Sequence, residues 1–375
     1  MRRWDIFCRV VDNFGDIGTC WRLAQQLANE HRAVVRLWVD RLESFARLCP
    51  TVLTDAAVQD VDSIEIRHWR SDFPEVDVAD VADVVIEAFA CELPENYLAA
   101  MTRRIVAPVW INLEYLSAEA WVEDCHLLTS PQPRSSLTKH FFFPGFSART
   151  GGLLRERDLL KTRDAFDSAA ATEFWSSLGI APQKNGEIRV SLFCYANTAL
   201  PELVQTWIES RNPIVVLASQ GAATEQIAAI LEETLVPGVS SCRQALTVHA
   251  LPFLPQPDYD RLLWACDVNF VRGEDSFVRA QWAQRPFVWQ IYPQADEAHL
   301  VKLEAFLERF LEKFDHSDVV RRCWRAWNGR GDIGSAWPEF VSNRSLIQQH
   351  GEVWAFQLDR LGNLANNLSY FACGK

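Results

Sequence analysis

The sequence predicts an α/β protein of two consecutive open β/α domains, and three observations carry that prediction. The chain has 375 residues, 49% hydrophobic and 23% charged. That is ample apolar surface for a large core, and the length favours two domains over one. The first half alternates short apolar runs with helical patterns. The same alternation starts again after a polar stretch near residues 147–187. A β-α-β-α rhythm implies a parallel sheet covered by helices.

In the first half, Trp4 to Val11 reads as a strand and Gly18 to Glu30 as a helix with Cys20, Leu23, Ala24 and Leu27 at helical spacing. Val34–Val39 is a second strand, and Leu42 to Leu48 a short helix ended by Pro50. Asp83–Glu87 and Val109–Leu113 are strands of the buried type. A second β/α set opens with the strand Ile188 to Tyr195. It continues through helix 200–210 and the strands at 213–218, 246–251 and 268–271. The tail from Glu352 to Phe371 predicts one long amphipathic helix carrying Trp354, Leu358, Leu361, Leu364 and Leu368. The expected division is residues 1–185, residues 186–350, and a C-terminal helix over 351–375 packing back on the first lobe. Two such domains put a ligand crevice at the carboxyl ends of their strands, between the lobes.

Composition excludes several classes. The net charge of −12 argues against nucleic acid as a partner, because phosphate backbones select basic surfaces. It permits a cationic partner surface, or a small anion held in a local basic pocket. No run of about 18 apolar residues is present to span a membrane, and the N-terminus lacks the pattern of a signal peptide. The ten cysteines form no C-x-x-C pair and read as buried free thiols of a reducing cytosol. The fifteen tryptophans are mostly packing residues.

Three segments carry candidate chemistry. The turn after the first strand holds Asp12, Asn13, Phe14, Gly15, Asp16 and Gly18. Its glycines do not make G-x-G-x-x-G, and two carboxylates would repel a pyrophosphate. They suit a cation: Asp12 and Asp16 can converge on one guanidinium, whose planar fork matches paired carboxylates. A reading without chemistry has Asp16 capping the helix and Asp12 closing a turn. The second segment runs from Val271 to Ala280, between a strand and a helix. A helix start binds phosphate through its N–H groups, Ser276 adds a hydroxyl, and Arg272 can neutralise a diphosphate. Glu274 or Asp275 can accept hydrogen bonds from sugar or ribose hydroxyls; an ordinary acidic N-cap explains them too. The third segment, Leu251 to Asp260, is a proline-rich loop in which Phe253 and Gln256 can stack on and hydrogen-bond a pyrimidine base. Zinc-protease, serine-hydrolase and Walker motifs are absent from the sequence. Asp296, Glu297 and His299 read as a solvated helix start rather than a metal site.

Taken together, these segments resemble the bacterial elongation factor P arginine rhamnosyltransferases, the EarP family. The resemblance is carried by Trp4–Cys8, Val11–Gly18, Trp21–Ala24, Ile86–Asn96, Asn112–Glu119, Gly151–Asp158, Pro252–Gln256 and Arg272–Gln281, from the N-terminus to about residue 306. It implies a GT-B glycosyltransferase fold of two Rossmann-like lobes facing each other across a crevice. The implied reaction is an inverting transfer of L-rhamnose from dTDP-β-L-rhamnose, without a metal, to a guanidino nitrogen of a loop-tip arginine of elongation factor P. The modified factor rescues ribosomes stalled at consecutive prolines, so the implied location is the cytoplasm. By the family pattern, Asp16 matches the catalytic carboxylate, Asp12 its partner, and Glu274 an acidic residue needed for activity. Asn13, Phe14 and Gly15 complete the acceptor loop. Phe253 and Gln256 match the thymine site. Arg272, Gly273, Asp275 and Ser276 match the donor-phosphate and ribose region, and Tyr195 a residue near the nucleotide. The alternatives are a GT-B enzyme with another acceptor, or a non-catalytic protein that holds a nucleotide or a basic peptide. A nicotinamide enzyme is disfavoured by the missing third glycine.

Overall fold

The computed structural model describes residues 2–12, 14–133, 135–294 and 297–375. The chain forms two compact units, residues 1–157 with 358–375, and residues 158–357.

The first unit runs β1 (Arg3–Cys8), α1 (Gly15–His31), β2 (Val34–Val39), α2 (Leu42–Leu48), β3 (Val58–Val61), β4 (Ile64–His68), β5 (Val84–Ala88), α3 (Glu95–Thr102), β6 (Val109–Leu113), α4 (Trp121–Cys125), β7 (Thr129–Pro131) and β8 (Thr138–Phe142). Its eight strands lie in the order β3-β4-β2-β1-β5-β6-β8-β7. The interior pairs from β4 to β8 are parallel, and the edge strands β3 and β7 pair antiparallel. The central strands are buried on both faces, so they read as apolar runs rather than alternations. Buried charges interrupt them: Asp5 on β1 accepts two N–H bonds from Arg36 on β2, each 2.6 Å, and the hydroxyl of Tyr97 on α3, and Glu87 is buried on β5. The edge hairpins carry no glycine signal. Asp62 and Ser63 join β3 to β4 with φ of 52° and 63°, the backbone of a two-residue primed turn usually made by Asn-Gly.

The second unit runs α5 (Leu159–Asp164), α6 (Ser168–Ser177), β9 (Ile188–Leu192), α7 (Leu200–Ile208), β10 (Ile214–Ala218), α8 (Ala222–Leu231), β11 (Ser240–Arg243), β12 (Leu246–Ala250), α9 (Gln256–Ala265), β13 (Val268–Arg272), α10 (Asp275–Ala283), β14 (Phe287–Gln290), α11 (Ala298–Phe310), α12 (Ser317–Trp327), α13 (Ile333–Ser342) and most of α14 (Arg344–Asp359). Its sheet has the order β11-β12-β10-β9-β13-β14, with only β11 antiparallel. Both units are therefore Rossmann-like, as a GT-B fold requires. Every tryptophan but Trp121 is buried. In α11 to α13 they interlock with phenylalanines: Trp324 stacks on Phe306, and Trp327 meets Phe270 edge-on.

Two boundaries differ from the sequence expectation. The division falls between Arg157 and Asp158, not near residue 185. The polar stretch at 158–185 hides Phe174 and Trp175, which pack with Val215, Leu217 and Leu262 in the core of the second unit. The tail is also two helices rather than one. The chain turns at Gly362, where φ is 78°, a conformation that disfavours any residue with a Cβ. Asn363 then caps α15 (Leu364–Cys373) by accepting the N–H of Asn366 at 2.8 Å. Leu364, Leu368 and Ala372 of that helix join the core of the first unit with Ile17, Cys20 and Leu27 of α1. Nor are all the thiols buried: all ten cysteines are free, but Cys242 and Cys373 are exposed.

Candidate active site

The carboxyl end of β1 leads into the acidic turn. The backbone turns tightly, with the N–H of Gly15 donating to the carbonyl of Asp12 at 2.9 Å. Phe14 is the N-cap residue of α1 and makes no side-chain cap. Asp16, inside the first helical turn, does not cap the helix either. Its Oδ2 reaches back and accepts the N–H groups of Val11 at 2.8 Å and Asp12 at 2.9 Å. Its Oδ1 accepts the hydroxyl of Tyr115 at 3.2 Å. The carboxylate is thus held at both oxygens and is only 2% exposed. Burial pushes its pKa above the ordinary carboxylate range. The N–H groups of Val11 and Asp12 oppose that rise, the charge of Asp12 adds to it, and the Tyr115 hydroxyl opposes it. Asp12 is half-buried beside it. A Cβ on Gly15 would lie 2.7 Å from Asp12 Oδ2, so a side chain here would displace that carboxylate. Asn13 lies outside the described residues.

In the second unit three loops meet at the carboxyl ends of β9, β12 and β13. Arg272 ends β13, and its guanidinium lies between the rings of Phe193 and Tyr195, 4.3 and 4.4 Å from their centroids. Gly273 and Glu274 follow, and α10 begins at Asp275. Glu274 makes no side-chain cap. The first turn of a helix carries N–H groups that its own ladder does not use, and such a turn attracts anions. Ser276 is buried, and its hydroxyl bonds the N–H of Arg272 at 3.1 Å and the Arg272 carbonyl. Gln256 opens α9 and donates to Asp275 at 3.4 Å. Phe253 is half-buried in the preceding loop. The two helices are fastened by a buried ion pair, in which Arg279 of α10 donates to both oxygens of Asp260 of α9 at 2.9 and 2.6 Å. The structure therefore brings Tyr195, Gln256, Arg272, Gly273, Asp275 and Ser276 together in one unit, and Asp12, Phe14, Gly15 and Asp16 together in the other.

Among the described residues no group of three or more His, Cys, Asp or Glu is arranged to hold a metal ion. Glu297 pairs with Arg330, and His299 accepts the N–H of Gln294; Asp296 lies outside the described residues. No helix among the described residues is long and apolar enough to cross a membrane.

A family profile described as elongation factor P (EF-P) rhamnosyltransferase EarP matches residues 4–373. The chain belongs to the EarP family. A protein-arginine rhamnosyltransferase of Pseudomonas aeruginosa is 48% identical, with 99% of each chain covered. One of Neisseria meningitidis is 41% identical over 93% of this chain and 89% of its own. A solved structure, reported as the structural basis for EarP-mediated arginine glycosylation of translation elongation factor EF-P, is 34% identical. It covers all of both chains with a TM-score of 0.72. A UDP-glucosyltransferase from Polygonum tinctorium, 10% identical with a TM-score of 0.51 over 99% of this chain and 98% of its own, shares the GT-B fold. This chain is accordingly a glycosyltransferase.

Sequence reasoning gave no role to several residues that line these EarP loops. Phe193 completes the aromatic clasp on Arg272, and its spacing from Tyr195 at the end of a strand puts both rings on one side. Tyr259 of α9 is half-buried with its hydroxyl shut away from solvent, and burial raises its phenol pKa far above the ordinary value. Tyr115 sits in a loop after β6, the position where parallel-sheet proteins place ligand-facing residues.

Proposed function

We propose that this protein transfers L-rhamnose from dTDP-β-L-rhamnose, with inversion, to a guanidino nitrogen of a loop-tip arginine of elongation factor P. The observation that carries the reading is the pair Asp12 and Asp16 at the carboxyl end of β1, with Asp16 buried and held at both oxygens. The names of the relatives support the acceptor and the sugar.

A guanidinium is a poor nucleophile, because its lone pairs are delocalised and its pKa exceeds about 12. An ordinary carboxylate, with a pKa near 3.9, cannot strip its proton in advance. Asp16 instead orients the guanidinium and takes the proton as the new bond forms. Its raised pKa makes it a better base at that moment. The nitrogen attacks the anomeric carbon, the bond from that carbon to the diphosphate oxygen breaks, and dTDP leaves with the bonding pair. Asp12 holds a second edge of the guanidinium and stabilises the positive charge. Arg272 and the start of α10 stabilise the leaving diphosphate, and Ser276 holds that turn in shape. Glu274 and Asp275 contact the rhamnose hydroxyls and the deoxyribose hydroxyl, while Phe253, Gln256 and Tyr195 hold the thymidine. No metal is assigned a role, and the site of action is the cytoplasm, where the acceptor works.

The deciding experiment is intact-mass spectrometry of elongation factor P after incubation with this protein and dTDP-β-L-rhamnose, with and without EDTA. The expected result is one added deoxyhexose on a single arginine, unchanged by EDTA. No mass gain while the donor still binds would point to another acceptor. Loss of the gain in EDTA would restore a metal to the mechanism.

Gly15→Ala tests the acidic turn. A Cβ 2.7 Å from Asp12 Oδ2 must push that carboxylate aside, while alanine itself suits a helix start. A displacement of this size is expected to lower kcat/KM for the acceptor by roughly tenfold to a hundredfold. The melting temperature should stay near wild type. Steady-state kinetics and a thermal melt check both halves, and unchanged kinetics would remove Asp12 from the site.

A further inference from the structure

We propose that the stacked rings of Phe89 and Tyr115 form the wall of an arginine-binding slot beside Asp16, with Tyr115 positioning the reacting carboxylate. This rests on the arginine-transferase reading above and names residues for it that the sequence did not.

The first observation is the join between the slot and the carboxylate. Tyr115 spans 99 positions of chain to donate its hydroxyl to Asp16 Oδ1. The other oxygen of Asp16 is taken by two backbone N–H groups. The Tyr115 contact therefore sets how Oδ1 is aimed. The second observation is exposure. Tyr115 is 39% exposed although one face of its ring is covered by Phe89, with centroids 4.4 Å apart and planes 14° from parallel. A partly exposed aromatic ring beside a buried carboxylate offers a flat surface at the edge of a negative charge.

The third observation is the backbone that holds Phe89 there. Phe89, Ala90 and Glu92 have φ of 57°, 53° and 57°, a backbone that is strained for any residue bearing a Cβ. The strain persists because buried groups over-determine the loop. The N–H of Phe89 donates to the Leu113 carbonyl at 2.6 Å, that of Ala90 to Asn112 Oδ1 at 3.1 Å, and that of Glu92 to Glu87 Oε1 at 3.2 Å. Asn112 and Glu87 are themselves buried. Strain concentrated at the carboxyl end of β5, next to β1 in the sheet, presents the Phe89 ring to Tyr115.

The chemistry that fits is a guanidinium. It is planar and weakly hydrated, stacks on aromatic faces, and offers a row of N–H donors along its edge. Lying on the exposed part of Tyr115, it would meet Asp16 with that edge. A lysine ammonium would gain neither the flat stack nor the paired bonds.

The test uses wild type, Tyr115→Phe, Tyr115→Ala and Phe89→Leu, with full-length elongation factor P as acceptor and dTDP-β-L-rhamnose as donor. The pH dependence of kcat/KM for the acceptor is recorded for each. The groups that face Asp16 are Asp12 from its own turn, Tyr115 from the loop after β6, and Cys8 from β1. A hydroxyl hydrogen bond favours the ionised carboxylate. Tyr115→Phe removes it and leaves burial and the Asp12 charge, which both raise the pKa. Because the base works ionised, the acid limb of the profile moves to higher pH. The ring remains, so the acceptor KM stays close to wild type. Tyr115→Ala removes the ring on which the guanidinium lies and Phe89→Leu the ring that backs it, and both raise the acceptor KM by roughly 3- to 30-fold. Calorimetry with dTDP gives unchanged donor binding in all three variants and reports that the second unit is intact. An unmoved acid limb in Tyr115→Phe, or an unchanged acceptor KM in both Tyr115→Ala and Phe89→Leu, overturns the proposal. So does an equal loss in all three variants with no movement of the limb, which marks a structural role. Absence of turnover in wild type is the separate result that removes the transferase reading itself.

Discussion

Asp16→Asn is expected to lower kcat by roughly a thousandfold, within the span measured for removing a general base. The substitution is close to isosteric. The amide oxygen still accepts the N–H groups of Val11 and Asp12, so the turn keeps its shape. What disappears is the negative charge and the ability to take a proton. Both matter only once the guanidinium nitrogen begins to bond, so the loss belongs in kcat more than in donor binding. Single-turnover mass spectrometry of elongation factor P measures the rate, and calorimetry with dTDP measures the donor site. Near-normal turnover would show that the proton leaves by another route and would end the assignment of Asp16.

The second large effect is expected in the pair of helices that carry the donor loops. Arg279→Met leaves Asp260 buried without its cation, at a position only 5% exposed. Breaking a buried pair from one side costs about 3–5 kcal/mol. For a unit of this size that lowers the melting temperature by about 10 °C. The two helices fastened by this pair begin at Gln256 and Asp275, so the donor KM should rise as well. The double variant Arg279→Met with Asp260→Leu removes both charges and should regain most of the stability. Differential scanning calorimetry of the single and double variants decides it. Equal melting temperatures for wild type and the single variant would mean that the pair does not hold the donor loops.

Much of the fold was legible because it is written locally. The run Val34–Val39 is a strand, and residues 42–48 are a helix, where periodicity and Pro50 place them. The ends of β1 and β13 were recognisable as ligand-facing turns, since a strand followed by a glycine and a helix start is a pattern of a few neighbouring residues. Composition alone also marked the tryptophans as packing residues. The edge strands β3 and β7 escaped notice. They are short, and the β3–β4 turn is built from Asp62 and Ser63 rather than from glycine.

The sequence by itself determined the two Rossmann-like units, the acidic turn at Asp12 and Asp16, and the arginine ahead of α10. These depend on period, charge and turn chemistry within a short stretch of chain. Only the tertiary structure decided that Phe174 and Trp175 belong to the second unit and that Gly362 divides the tail. It also decided that Phe193 clasps Arg272 and that Tyr115 bonds Asp16. Each of those joins residues far apart in sequence or depends on what a side chain packs against. Hydrophobic attraction is non-directional, so a sequence records that a ring will be buried or exposed without recording which partner it meets.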